Sequence, residues 1–446
     1  MVPESALILT IMTLLFLTLG YLGVPVAFSL MAGVMVGTAM VPITYQSMMG
    51  QLFNGIDSEA LMAIPFFLLV GELMTSANVV IRIAELSQAL VGHVRGGLAQ
   101  VTTVFSMFFS GMSGSSSADV AVLSRTMAKP MAAEGYSPEF VAALIAAAST
   151  IAALVPPSIM AVVYGAIGNV SIAGLFLGGI VPGVMIALGL MIYAYFFGPT
   201  GFKRPRATFR QLTNAAGSAA LPLMIPFILL GGILSGFFTP TEAGVIAIVY
   251  IIAVVIPILR PGHLKFMWRD FVTAGLVFTL PLITIAAASD FGWLLAYLRG
   301  PIVVAGWIEH VAGTDPYAIM FALVVVFTIV GDFIEPIPAI IIFMPVVNQL
   351  TEAADIKPVH MGVVLIVTLA FGLITPPYGL ALLMASKFVN VRFAAALRAS
   401  VPIYVIFFVT IAVSIFFPDL ILYLPKLLFP ESVGCFKGPS GGYICP

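Results

Sequence analysis

Leu154-Val155-Pro156-Pro157-Ser158 breaks an apolar run, and the break recurs as Ile374-Thr375-Pro376-Pro377-Tyr378-Gly379. Consecutive prolines remove amide donors and block helix geometry, so each pair ends a helix and frees carbonyls that need another partner. The recurrence belongs to a series. At a constant offset of 220 residues, Gly111 pairs with Gly331, Pro138 with Pro358, Pro156 with Pro376, Pro157 with Pro377 and Pro182 with Pro402. Identity between the halves is low, so what repeats is the backbone: prolines that interrupt helices and a glycine that permits a tight hairpin. Four of the five prolines between residues 111 and 182 match, more than the abundance of proline in membrane helices accounts for. Pro25 and Pro240 form an earlier pair at a slightly different offset.

Around the breaks, the chain is made for a bilayer. With 61% hydrophobic residues, 8% charged residues and a mean hydropathy of +1.15, a soluble domain would lack polar surface. Apolar stretches recur from end to end, among them Leu7–Leu19, Leu61–Leu73, Ile172–Phe197, Leu221–Phe237, Val245–Ile258 and Val401–Phe417. The start lacks a basic, cleavable signal, so the first stretch is expected to stay as a membrane helix. A net charge of −1 with no basic patch excludes nucleic acid as a partner. Cys435 and Cys445 are the only cysteines, and His93, His263, His310 and His360 lie far apart without ligand spacing. This provides no zinc or iron–sulfur set, and the histidines read as solvated or interfacial.

The basic residues orient the chain. Arg82 and Arg95; Arg125 and Lys129; Lys203, Arg204, Arg206 and Arg210; Arg260, Lys265 and Arg269; and Lys387, Arg392 and Arg398 make up 14 of the 18. Placing them in the cytoplasm gives a path that begins and ends outside, provided two segments enter the membrane and return to the same face. The first, about 96–132, enters from the cytoplasm and has its tip at Gly111-Met112-Ser113-Gly114-Ser115-Ser116-Ser117-Ala118-Asp119. The second, about 313–352, lies between Glu309, Asp315, Glu352 and Asp355, enters from the periplasm and has its tip at Gly331-Asp332-Phe333-Ile334-Glu335-Pro336-Ile337-Pro338. The fold read from these features is an all-α integral membrane inverted repeat with two re-entrant helical hairpins and two Pro-Pro-broken helices.

The first repeat covers 1–198: three membrane helices, the hairpin, a broken helix at about 138–168 and a connecting helix. An interfacial arm spans 199–216. The second repeat, 217–420, has three membrane helices, its hairpin, a broken helix at about 358–388 and a last helix. A periplasmic extension, 421–446, follows, in which Cys435 and Cys445 are expected to form a disulfide.

Two breaks at matched positions, each after a Gly-containing tip, point to bound cations, because a hard cation takes several oxygen ligands and broken helices expose carbonyls. The expected sodium ligands are Ser115, Ser116, Ser117, Pro156 and Ser158 in the first half and Gly331, Asp332, Thr375, Pro376 and Gly379 in the second. Ser116, Asp119, Ser158, Asp332 and Tyr378 are the expected substrate contacts. The competing reading is that the prolines are kinks satisfied by neighbouring helices and the serines pack closely. Six acids are placed at membrane depth: Glu72, Asp119, Glu242, Asp290, Asp332 and Glu335. Asp119 and Asp332 lie in tips, Glu242 is placed as a helix cap, and Glu72 and Asp290 as groups reaching an interface or a partner.

Gly114-Ser115-Ser116-Ser117-Ala118-Asp119, Glu134-Gly135-Tyr136-Ser137-Pro138, Pro156-Pro157-Ser158-Ile159, Gly179-Ile180-Val181-Pro182-Gly183, Phe238-Thr239-Pro240-Thr241-Glu242-Ala243-Gly244 and Thr375-Pro376-Pro377-Tyr378-Gly379 together resemble the large membrane subunit of tripartite ATP-independent periplasmic (TRAP) transporters, the DctM-like family. The resemblance implies an elevator-type sodium symporter of the bacterial inner membrane, with sodium as coupling ion and no cofactor. It implies an organic acid substrate: a C4-dicarboxylate, keto acid, sugar acid or sialic acid. It also implies two partners, a periplasmic substrate-binding protein and a small four-helix membrane subunit on a separate chain. The extension after Leu428 has no family role. A stand-alone permease of the same superfamily is the rival, opposed by the Phe-Thr-Pro-Thr-Glu-Ala-Gly segment. A hydrolase using Ser115–Ser117 lacks a nearby histidine or lysine to activate a serine.

Overall fold

Proline and glycine set the helix boundaries of this chain. A computed structural model describes residues 3–199, 205–437 and 443–444. The first hairpin is Gly97–Ser113 and Ser116–Ala133, and the first broken helix is Pro138–Ser149, a short 3-10 turn at Thr150–Ala153, and Ile159–Gly168. The second hairpin is Pro316–Phe333 and Pro336–Ala353, and the second broken helix is Pro358–Gly372 and Leu380–Val389. A long helix follows each broken one, Ile172–Phe197 and Phe393–Phe416. Of the matched prolines, Pro182 and Pro402 lie inside those long helices, and the others fall where proline does least harm. Pro138 and Pro358 occupy a first helical turn, where no amide bond is lost. The Pro156-Pro157 and Pro376-Pro377 bonds, both cis, occupy the gaps.

Among the described residues seven helices are long and apolar enough to cross a membrane, and the bent pair Ala63–Ser76 and Val80–Val91 makes an eighth span if it counts as one. The seven include both arms of the second hairpin. The pair is bent by 77° where Asn78 adopts a left-handed φ of 58°. Phe209–Leu234 and Met267–Tyr297 expose large apolar side chains such as Phe227 and Trp268, as lipid-facing helices do. The broken helices are the reverse. Every residue of 140–149 and 359–372 is buried, so these segments are apolar all round and sit at the centre.

Packing exchanges pieces between the halves. Leu380–Val389 lies against Pro138–Ser149 and Ser116–Ala133, while Ile159–Gly168 lies against Pro336–Ala353. Around this centre, Met267–Tyr297 packs on Val26–Ala39, Ala63–Ser76 and the second hairpin. Small residues permit the close crossings: a Cβ on Gly33 would meet the Met12 carbonyl at 3.1 Å and the Phe291 ring at 3.3 Å.

Several expectations are revised. Within the stretch read as an arm, 199–216, a helix already starts at Phe209, where Thr208 and Gln211 form a capping box; Lys203 and Arg204 lie outside the described residues. His360 is not solvated but buried, with its ring nitrogen 2.6 Å from the Ser414 carbonyl. His263 bridges elements, its Nε2 lying 2.6 Å from Asp270 Oδ2 and 3.2 Å from the Ser76 hydroxyl. The extension is not purely helical. After two short helices and a 3-10 turn, Phe436–Lys437 pairs antiparallel with Tyr443–Ile444, and the helical part packs on Ile172–Phe197. Cys435 is disulfide-bonded; Cys445, its expected partner, lies outside the described residues.

Candidate ion and substrate site

At the first junction the tip of the hairpin is seated on the break. Gly114 turns the chain with a left-handed φ of 59°, and a Cβ there would come within 2.8 Å of the Pro157 carbonyl, so only glycine fits. Its own carbonyl accepts from the Ile159 amide at 3.2 Å. Gly111 brings the tip near the Pro156 carbonyl, 3.6 Å from where a Cβ would stand.

The three serines of the tip do different things. Ser115 caps Ser116–Ala133, accepting from the Ala118 amide, and its hydroxyl lies 3.1 Å from that of Ser117, which is exposed. Ser116 points inward. Its Oγ is buried and has no hydrogen-bond partner among the described residues. Ser158 is fully buried and committed locally: it accepts from the Ala161 amide at 3.2 Å, capping Ile159–Gly168, and donates to the Ala153 carbonyl at 2.5 Å.

Asp119 is held by its own hairpin rather than aimed across a cavity. It is fully buried, and its two carboxylate oxygens accept from Ser110, at 2.8 Å, and from Ser113. It also lies in the first turn of its helix, where the backbone dipole favours negative charge. Ser110 and Ser113 were absent from the sequence-based candidates. Their signal, two serines within ten residues of an intramembrane acid, is present in the sequence but reads equally as small-residue packing.

At the second junction a carboxylate and a hydroxyl do the joining. Thr375 Oγ1 donates to Asp332 Oδ1 at 2.5 Å, and the Tyr378 amide donates to the Asp332 carbonyl at 3.3 Å. Gly331 packs against Gly372 so closely that a Cβ on Gly372 would meet the Gly331 backbone at 2.9 Å. Gly379, at φ 46°, turns the chain back over the Thr375 carbonyl. Tyr404, also absent from the sequence-based candidates, donates to the Ile374 carbonyl at 2.8 Å. The two breaks differ in access: Pro156, Pro157 and Ser158 are buried, whereas Pro376, Pro377 and Tyr378 are exposed.

The remaining acids separate. Glu242 caps Pro240–Tyr250 in a capping box with Thr239, as expected. Asp290 differs from the expectation of an interfacial or partnered group: it is buried, and its Oδ1 has no partner among the described residues. Among the described residues no group of three or more His, Cys, Asp or Glu side chains is placed to hold a metal ion, so any cation would rest on hydroxyls, carbonyls and single carboxylates.

Residues 11–420 match the family described as "Tripartite ATP-independent periplasmic transporter, DctM component". The chain is 33% identical to a sialic acid TRAP transporter large permease protein of Vibrio cholerae, over 92% of this chain and 97% of that one. It is 34% identical to a C4-dicarboxylate TRAP transporter large permease protein of Pseudomonas aeruginosa, over 87% and 91%. It is 30% identical to a sialic acid TRAP transporter permease protein of Haemophilus influenzae, over 94% of this chain but 68% of that longer one.

Proposed function

Because this chain belongs to the DctM-component family of TRAP transporters, a family of transporter permeases and not of enzymes, we propose that it is the large inner-membrane subunit of a sodium-coupled symporter. It imports a small organic acid anion, of the C4-dicarboxylate, keto acid, sugar acid or sialic acid class, delivered by a periplasmic binding protein. A small four-helix subunit completes the membrane part. The Haemophilus relative carries additional sequence beyond the matched region, as a fused permease would.

The observation that carries the reading is the pair of junctions. In each half a hairpin tip bonds a Pro-Pro break, Ile159 to Gly114 and Tyr378 to Asp332. Helices starting at Gly97, Ser116, Pro138, Ile159 and Ile172 are matched about 220 residues later by helices starting at Pro316, Pro336, Pro358, Leu380 and Phe393, the periodicity that an inverted-repeat transporter carries. One sodium ion rests on the first junction, taking the unpartnered Ser116 hydroxyl and the carbonyls of the break. Another rests by Asp332 and Thr375. The substrate anion binds between them, reached by Tyr378 on the exposed side. The hairpins and broken helices move together as an elevator against the helices around them, one repeat at 1–198 and the other at 217–420. Both termini are periplasmic.

Uptake into proteoliposomes containing this chain and its small subunit tests the proposal, measured with a sodium gradient, a proton gradient or neither, and with or without the liganded binding protein. Uptake only with sodium and the binding protein is expected. Uptake driven by protons alone would remove the coupling assignment, and rapid uptake of free substrate would make the chain a stand-alone permease.

A further inference from the structure

Where Val80–Val91 turns into the first hairpin, residues 92–96 meet the last turns of Ile172–Phe197. A crevice of about 220 Å³ remains between them, walled by Val94, Gln100, Met191, Ile192, Tyr195 and Phe196. Three features of this crevice go unused by transport. Ile192 and Phe196 present apolar surface, 59% and 66% exposed, at the end of a 26-residue membrane helix. The Arg95 guanidinium stands 5.3 Å over the ring of Tyr195, one of the lining residues. Gln100, 1% exposed, donates its amide nitrogen to the carbonyls of Arg95, at 3.1 Å, and Met191, at 2.8 Å, while its Oε1 has no partner among the described residues.

The two carbonyls fix the Gln100 amide orientation, because the flipped form would set oxygen against oxygen. The orphan is therefore an acceptor, and it calls for a donor. We propose that this crevice binds one phosphatidylglycerol molecule, its phosphate on Arg95, a glycerol hydroxyl donated to Gln100 Oε1 and an acyl chain along Ile192 and Phe196. Each part of the lipid answers one part of the crevice. A choline headgroup has no N–H or O–H to donate. An ethanolamine ammonium would be brought beside the Arg95 cation, whereas a neutral hydroxyl meets a neutral amide oxygen there without repulsion. Arg95 belongs to the basic set placed on the cytoplasmic side, where anionic headgroups attract arginine.

The test is native mass spectrometry of the full chain, loaded with phosphatidylglycerol, phosphatidylethanolamine or phosphatidylcholine of identical acyl chains. One phosphatidylglycerol should be retained roughly tenfold better than either of the others. Arg95→Gln and Ile192→Trp, the latter filling the mouth from an exposed position, should each lower that retention by about fivefold. Gln100→Met should erase the advantage over phosphatidylcholine. Equal retention of phosphatidylglycerol and phosphatidylcholine, phosphatidylethanolamine matching phosphatidylglycerol, or undiminished retention by Ile192→Trp overturns the assignment. So does a photo-crosslinker at position 192 that captures protein rather than lipid in native membranes.

Discussion

Thr375 Oγ1 donates a 2.5 Å hydrogen bond to Asp332 Oδ1, tying the second break to the second tip across 43 residues of chain. Among the described residues the first junction has no such side-chain bond; its closing contact runs between backbone groups of Ile159 and Gly114. The junctions are related in position but differ in chemistry. Only the second brings a carboxylate into the contact itself, which makes Asp332 the sharpest point at which to test cation binding.

Asp332→Asn keeps an acceptor for Thr375 and removes the charge, so the protein should fold while losing a charged oxygen ligand. We expect the sodium concentration for half-maximal uptake to rise by about tenfold, and by less for Thr375→Val, which removes one neutral oxygen. Unchanged sodium dependence in both variants would remove the second ion from this junction.

Ser116→Ala and Ser158→Ala should separate ligation from folding. Ser116 Oγ has no partner among the described residues, so its loss should leave the melting temperature within experimental error while raising the sodium requirement. Ser158 caps a helix and donates to the Ala153 carbonyl, so its loss should cost about 1–3 kcal/mol and lower the melting temperature. A stable Ser158→Ala together with a destabilised Ser116→Ala would reverse the assignment.

Asp119→Leu should be poorly folded, because it strands the Ser110 and Ser113 hydroxyls in a buried site at about 1–3 kcal/mol each. The triple change Asp119→Leu, Ser110→Ala, Ser113→Ala should recover part of that loss. Thermal denaturation in detergent measures both. A folded Asp119→Leu with abolished transport would instead make the carboxylate a substrate contact.

Maleimide labelling of intact cells checks the orientation of the C-terminal end. Cys435 is disulfide-bonded, so labelling should appear in whole cells only after reductant. Labelling that requires a permeabilised inner membrane would place the extension in the cytoplasm.

The backbone of this protein was legible because proline and glycine act locally. Pro156-Pro157 and Pro376-Pro377 fixed both breaks, and the hairpins begin and end within a few residues of the places that charge and tip composition indicated. Glu242 was legible for the same reason, since a capping box is written within four residues. Thr208 and Gln211 form the same device but stand among basic residues that read as a solvated arm. What escaped depends on distant chain. Asp119 could be placed in a tip, but its commitment to Ser110 and Ser113 follows from helix rotation. The burial of His360 depends on the Ser414 carbonyl, supplied 54 residues later. The exchange of half-helices between repeats leaves no periodic mark, because segments buried on every side show no preferred face.

That exchange governs how the chain can be made. Pro138–Ser149 finds its cover in Leu380–Val389, more than half the chain later, so during synthesis the first broken helix is in the membrane long before its partner exists. The first half is then a folding intermediate with its innermost surface open, and truncation near residue 380 should leave a species prone to aggregation and degradation rather than a half-size protein. Each half supplies the cover that the other half's innermost helix needs.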